Sequence, residues 1–172
     1  VMPFLGEPNK APLPQIGLMA DITTPALLIS MAIGRVGDII NGEHFAKATD
    51  LAWGFIYTNP SSPGYQQPAS HPAVAYELIF DLLLLAAIWP LRNRLRPHGM
   101  YFVLYGGLYS MGRFFLSFLR VEQIPYFDVL NQAQIIALIV MAVAIPLVVF
   151  KAQFVRPTQG AESGRRGQRR AR

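Results

Sequence analysis

Cysteine is missing altogether from this 172-residue chain, and charge is scarce, at 15% of residues. The first absence excludes a disulfide scaffold, a cysteine zinc site and a cysteine nucleophile. The second sets the chain apart from soluble domains, which carry about 25% charged residues. Hydrophobic residues make up 52%, and the mean hydropathy is +0.32. Length alone is compatible with one soluble domain, but this balance of charge and apolar content points to a polytopic membrane protein. A net charge of +5 and a pI near 9.8 suggest a nucleic-acid partner until the cations are located. Residues 151–172 hold seven of them (Lys151, Arg156, Arg165, Arg166, Arg169, Arg170 and Arg172) against one acid, Glu162. The first 150 residues have eight cations and nine acids, a net −1. The basic character therefore belongs to a tail of low apolar content, which reads as disordered and solvated. No aromatics interleave its arginines as a stacking site for nucleic acid would require, so no nucleic-acid partner is expected.

Four apolar stretches approach the roughly 20 residues that cross a bilayer as a helix. They run from about Ile22 to Ile40, Pro72 to Leu91, Met100 to Leu119 and Leu130 to Phe150. One such stretch could be a buried helix of a soluble protein, but four in 172 residues make an all-α polytopic membrane bundle the better expectation. The organisation expected is a lead-in over 1–21, a four-span membrane domain over 22–150 with a long loop at 41–70, and a basic tail over 151–172. Pro25 is expected in the first turn of its span, with Pro90 and Pro146 near span ends. Short connections make the last three spans alternate in direction. Arg92, Arg94 and Arg96 then share a side with the basic tail, which the positive-inside rule places in the cytoplasm. The 41–70 and 120–129 loops face outside. The chain opens on Val1 rather than Met, as a processed product or a piece of a longer protein does.

Ionisable groups inside spans are costly and mark a functional site by default. Arg35 lies about five residues below the outer end of the first span, roughly 8 Å at 1.5 Å per residue. Glu77 and Arg113 lie at similar depth on the second and third spans, so three charges on three helices share one layer. Tyr109, Arg113 and Ser117 are spaced i, i+4, i+8 along one stripe, with Arg120 seven past Arg113. Arginines grip phosphate through paired N–H groups and stay charged, so Arg35, Arg113 and Arg120 suggest a site for a phospholipid headgroup. Two plainer roles compete: Glu77 and Asp81 could simply neutralise the arginines, and Arg120 could be a snorkelling anchor at the interface. Scattered Met and the aromatics of the third span read as packing, Gly106, Gly107 and Gly112 as points of close helix approach. Nothing suggests a metal, nucleotide or other cofactor.

Four blocks then carry a resemblance. Gly34-Arg35-Val36-Gly37-Asp38-Ile39-Ile40-Asn41-Gly42-Glu43 resembles the G-R-x-G-N-F-x-N-x-E signature of the prolipoprotein diacylglyceryl transferase family. Thr49-Asp50-Leu51-Ala52-Trp53-Gly54 is similar to that family's T-D-x-P-W-G loop, and His71-Pro72-Ala73-Val74-Ala75-Tyr76-Glu77 to its H-P-x-x-x-Y-E. Tyr109 to Arg113 with Arg120 resembles its Y-x-x-x-R-x-x-x-E-x-x-R. The four occur in order and cover about Ala20 to Phe150.

The resemblance implies transfer of diacylglycerol from phosphatidylglycerol to the lipobox cysteine of a prolipoprotein signal peptide, forming a thioether and releasing glycerol phosphate. It implies a multi-pass protein of the bacterial plasma (inner) membrane. Arg35, Arg113 and Tyr109 would be catalytic, the arginines clamping the headgroup. Asn41, Glu43, His71, Tyr76, Glu77 and Arg120 would bind substrate and shape the site. The sequence departs from the family in three places: Asp38 replaces an Asn, Ser117 replaces the Glu of the stripe, and Ala133-Gln134 replaces Gly-Gln. The family also has about seven spans, the first three of which, with the histidine usually assigned as base, precede the region matched here. A preceding half or partner helices are therefore expected, and His71 and His44 are the candidates here for a substitute base. Competing functions are a non-catalytic binder of anionic lipid or signal peptide, and a small transporter or sensor using the charges as a relay.

Overall fold

A computed structural model describes residues 13–42, 45–121, 125–126 and 130–155. Four helices dominate it: α1 (Leu13–Asn41), α2 (Ala73–Ile88), α3 (Met100–Leu116) and α4 (Gln132–Lys151). Single 3₁₀ turns extend α2 through Trp89–Leu91 and α3 through Ser117–Leu119. With those turns, all four are long and apolar enough to cross a membrane. The protein is a multi-pass helical membrane bundle.

The expected spans match α2, α3 and α4 within about two residues at each end, but α1 starts nine residues before Ile22. Pro25 is thus inside α1, not in its first turn, and Pro146 is inside α4. An interior proline removes a backbone donor and frees a carbonyl one turn earlier. Threonine hydroxyls occupy carbonyls in the turn preceding Pro25. Thr24 Oγ1 donates to Ala20 O at 2.9 Å, and Thr23 Oγ1 lies 3.0 Å from both Met19 O and Ala20 O. In a bilayer, where no water can substitute, these bonds satisfy the threonine hydroxyls themselves; the carbonyl that Pro25 cannot bond is that of Asp21.

The start of α4 is set by a capping box: Asn131 accepts from Gln134 N at 2.8 Å, and Gln134 Oε1 accepts from Asn131 N at 3.0 Å. Both orphan donors are answered locally, which explains why the helix begins there and why Gln134 can be buried. α1 packs mainly on α2, and α3 on α4, with α2 and α3 closing the middle. Gly112 permits that last approach, because a Cβ there would run into the ring of Phe80. Leu28, Leu84, Ile88, Met100, Tyr101 and Tyr105 form the core, towards one end of the bundle. The outer faces remain apolar, with Ile22, Ile33, Leu83, Phe115, Val143 and Phe150 all exposed, as lipid-facing positions are.

Short strands tie the loops together at each end. β1 (Leu95–Arg96) pairs antiparallel with β4 (Gln153–Phe154), so the arginine-rich loop and the segment after α4 share one end. At the other end β2 (Pro125–Tyr126) pairs with β3 (Leu130–Asn131). The long loop after α1 folds over that same end: Lys47 N donates to Leu119 O at 2.9 Å, and Val121 N to Phe45 O at 3.2 Å. Phe55 and Ser70 exchange both backbone hydrogen bonds. Within the loop Tyr57 packs on Gly42 (φ +71°) and Gly64, where side chains would collide with its ring, and burial raises its phenol pKa.

Candidate functional site: three arginines on one carboxylate

The site lies at the loop-covered end of the bundle. Glu77, on the second turn of α2, is 4% exposed. Its Oε2 lies 2.8 Å from Arg35 Nη2 of α1. Its Oε1 accepts from Arg113 Nη1 of α3 and, at 3.0 Å, from Arg120 Nη1. Arg120 follows the 3₁₀ turn after α3 in extended conformation, which folds it back over the helix end. Arg35, Glu77 and Arg113, expected at one depth on three helices, do meet, and Arg120 joins them at the same carboxylate. Arg35 Nη1 also pairs at 3.0 Å with Asp38 Oδ2, one turn along α1.

Asp81 lies one turn below Glu77 on the same helix face and is 1% exposed. Its carboxylate is close enough to interact electrostatically with Arg35 and Arg113. The sequence marks it as an intramembrane charge but does not single it out as part of the site. Three cations thus meet three acids in this layer, and the site is close to neutral as it stands. A buried charge network of this kind survives only when the partners are in place, because each isolated ion would carry a large desolvation cost.

Tyr109 is one turn before Arg113 on α3, within electrostatic reach of Arg35 and Arg113 and with its ring 5.8 Å from that of Tyr105. Ser117, in the place of the expected glutamate, donates to Arg113 O at 2.7 Å and so caps the end of α3 instead of engaging an arginine side chain. Tyr76 sits beside Glu77 in sequence, and its hydroxyl accepts from Trp53 Nε1 at 2.8 Å. Reasoning from residue chemistry misses Trp53 as a site residue; only its place in the T-D-x-P-W-G-like block signals it. That bond pins the long loop to the start of α2. His71 is half-buried near Tyr76, with ring centroids 6.5 Å apart, and its Nδ1 is buried without a hydrogen-bond partner. It is not bonded to Glu77. Asn41 ends α1, and its carbonyl accepts from Ser62 Oγ at 2.8 Å. Glu43 and His44 lie outside the described residues, as do the basic positions 156–172.

The sequence profile of the family described as prolipoprotein diacylglyceryl transferase matches residues 11–150, four-fifths of the chain. The chain belongs to that family. Relatives named phosphatidylglycerol–prolipoprotein diacylglyceryl transferase include one from Dehalococcoides mccartyi (strain BAV1), 36% identical over 143 residues, which are 83% of this chain and 55% of the relative. One from Nocardia farcinica is 32% identical, covering 91% of this chain and 33% of the relative. A Streptomyces coelicolor relative is 33% identical, covering 78% and 39%. The chain spans about half the length of the first of these relatives and a smaller share of the others. No solved structure matches it. Within the family's signature blocks, the arginine of the first and both arginines of the fourth meet at Glu77, the last residue of the third, so three stretches distant in sequence come together in one place.

Proposed function

We propose that this chain holds the phosphate of phosphatidylglycerol at Arg35, Arg113 and Arg120 and takes part in moving its diacylglyceryl group to the lipobox cysteine of a prolipoprotein signal peptide. The observation that supports this most is the convergence of those three guanidiniums, from two helices and a helix end, on Glu77. A phosphodiester offers the same acceptor oxygens in the same plane of the bundle, and arginine forks match it.

The chemistry asked of such a site is limited. The thiolate of the acceptor attacks the saturated glycerol carbon that bears the phosphate. The carbon–oxygen bond breaks, a carbon–sulfur bond forms, and glycerol phosphate leaves with the bonding pair. No oxyanion hole is needed, because no tetrahedral carbonyl adduct forms. Negative charge grows on the departing phosphate, and fixed cations in a water-poor layer stabilise it most at that point. Arg35 and Arg113 take that role, Tyr109 adds a hydroxyl donor beside them, and Arg120, at the end of α3, meets the leaving group on its way out. The nucleophile belongs to the acceptor, which fits a chain with no cysteine. The loop pinned by Trp53 and Tyr76 covers the site on the side from which an exported acceptor arrives. The arginine-rich loop and the C-terminal end then face the cytoplasm.

The decisive test is Arg113→Ala in phosphatidylglycerol vesicles, with transfer to a lipobox peptide followed by mass. Loss of transfer by two to three orders of magnitude is expected, on the scale of removing one charge-stabilising donor. Unchanged transfer would overturn the assignment.

A further inference from the structure

The opposite end of the bundle carries a second cationic arrangement that the transfer reaction does not use. Asp21 of α1 accepts from Gly99 N at 2.7 Å and from Phe102 N at 3.0 Å, so it marks the level at which α3 begins. The first two turns of α1 stand beyond that level, against the loop between α2 and α3. Gly17 packs so tightly there that a Cβ would lie 2.6 Å from His98 O. Between α1 and this loop is a cleft of about 410 Å³. Arg92, Asn93, Arg96 and His98 line one side, and Leu18 and Ile22 the other.

Asp21 also lines the cleft with its negative charge, both its oxygens accepting from backbone N–H groups, so Arg92 and Arg96 together leave the cleft with one excess positive charge. Arg92 is held 4.2 Å above the ring of Trp89, a residue type favoured at the membrane–water boundary. Arg96 Nη1 lies 3.0 Å from His98 Nδ1. The apolar side continues into the bilayer. Leu18, Ile22, Ile29, Ile33, Val36 and Ile40 are all exposed, and at 100° per residue they fall within one narrow stripe along α1. A cationic cleft at the surface with an apolar rail running down from it fits one kind of molecule: an anion carrying acyl chains.

We infer that this cleft binds the phosphate headgroup of an anionic glycerophospholipid from the leaflet opposite the three-arginine site, with an acyl chain lying along the α1 stripe. The site stands independently of the transfer reaction and would anchor the start of α1 at a fixed depth.

Native mass spectrometry of the whole chain, released from micelles holding equal phosphatidylglycerol and phosphatidylcholine, tests this by counting retained lipid. In the Arg35→Gln/Arg113→Gln background, which removes lipid held at the transfer site, adding Arg92→Gln/Arg96→Gln should lower the remaining phosphatidylglycerol retention roughly tenfold or more, the scale expected of two cations at an anionic surface. Arg92→Lys/Arg96→Lys should keep most of it, and circular dichroism of both should show unchanged helix. Arg94→Gln, outside the cleft on the same loop, should retain lipid as the parent does. Excess inorganic phosphate should not displace the lipid, since the rail contributes to binding. Arg35→Gln/Arg113→Gln should leave this lipid in place, which separates the site from the transferase reading. Full retention in the Arg92/Arg96 glutamine variant, equal loss in Arg94→Gln, or displacement by inorganic phosphate would each overturn it.

Discussion

Arg120 reaches across 43 residues of sequence to place Nη1 3.0 Å from Glu77 Oε1, the same oxygen that Arg113 occupies. One carboxylate oxygen thus joins the end of α3 to the second turn of α2, while the other oxygen faces α1. Glu77 is therefore both the counter-ion of the site and the pin that holds three segments in register.

Replacing Glu77 by Ala leaves three guanidiniums facing one another in an apolar layer with one counter-ion fewer. Removing one partner of a buried ion pair costs about 3–5 kcal/mol, and here the loss is shared by three partners whose side chains are 11–22% exposed. Thermal unfolding in detergent should show a clear drop in midpoint. Glu77→Gln, which keeps an acceptor oxygen but no charge, should fall between. A midpoint equal to that of the parent would mean that the arginines are not organised by this residue.

Asp38 competes for Arg35. Its Oδ2 sits 3.0 Å from Arg35 Nη1, so an arriving phosphate meets a guanidinium already half satisfied. Asp38→Asn removes that competing charge and should tighten phosphatidylglycerol binding by roughly 2–5-fold, the scale of a partly exposed ion pair. Titration of the lipid into nanodiscs of zwitterionic lipid reads this directly. Unchanged or weaker binding would show that Asp38 orients Arg35 instead of drawing it away.

Charges on otherwise apolar spans are conspicuous, which is why Arg35, Glu77 and Arg113 are legible as one layer from their positions in the sequence. Their pairing is not. Whether Glu77 faces one arginine or three depends on helix rotation, and near-uniformly apolar spans carry little periodicity to specify rotation. Asp81 falls on the same face, yet its position in the sequence shows it only as a possible counter-ion. The start of α1 departs from expectation for a different reason: four prolines precede residue 22, and they read as breaking helix. Pro14 in fact falls in the first turn, where a missing donor costs nothing, and α1 continues through Pro25. The Trp53–Tyr76 bond spans an irregular loop, where no spacing rule applies.

That bond gives a local prediction. Trp53→Phe keeps the ring and loses the donor to Tyr76, at an expected cost of about 0.5–1 kcal/mol. The loss should be confined to the loop. Amide exchange should quicken over residues 49–55 and 69–71, where Thr49 N pairs with Ala69 O and Phe55 with Ser70, and stay unchanged in α3 and α4. Uniform protection across the loop in the variant would place its anchor elsewhere.

Gly112 decides how closely α2 and α3 can lie, and so how far Arg113 stands from Glu77. A methyl group at 112 would collide with the ring of Phe80. Gly112→Ala must push the helices apart or force Phe80 from its rotamer, and overpacking of this kind costs about 1–3 kcal/mol. The displacement falls next to Arg113, so lipid retention should fall along with the unfolding midpoint. Phe80→Leu shortens the side chain that is hit, and the double variant Gly112→Ala/Phe80→Leu should recover much of both losses. The recovery separates a steric cause from a loss of backbone flexibility: a double variant no better than Gly112→Ala alone would show that the glycine serves α3 itself and not its approach to α2.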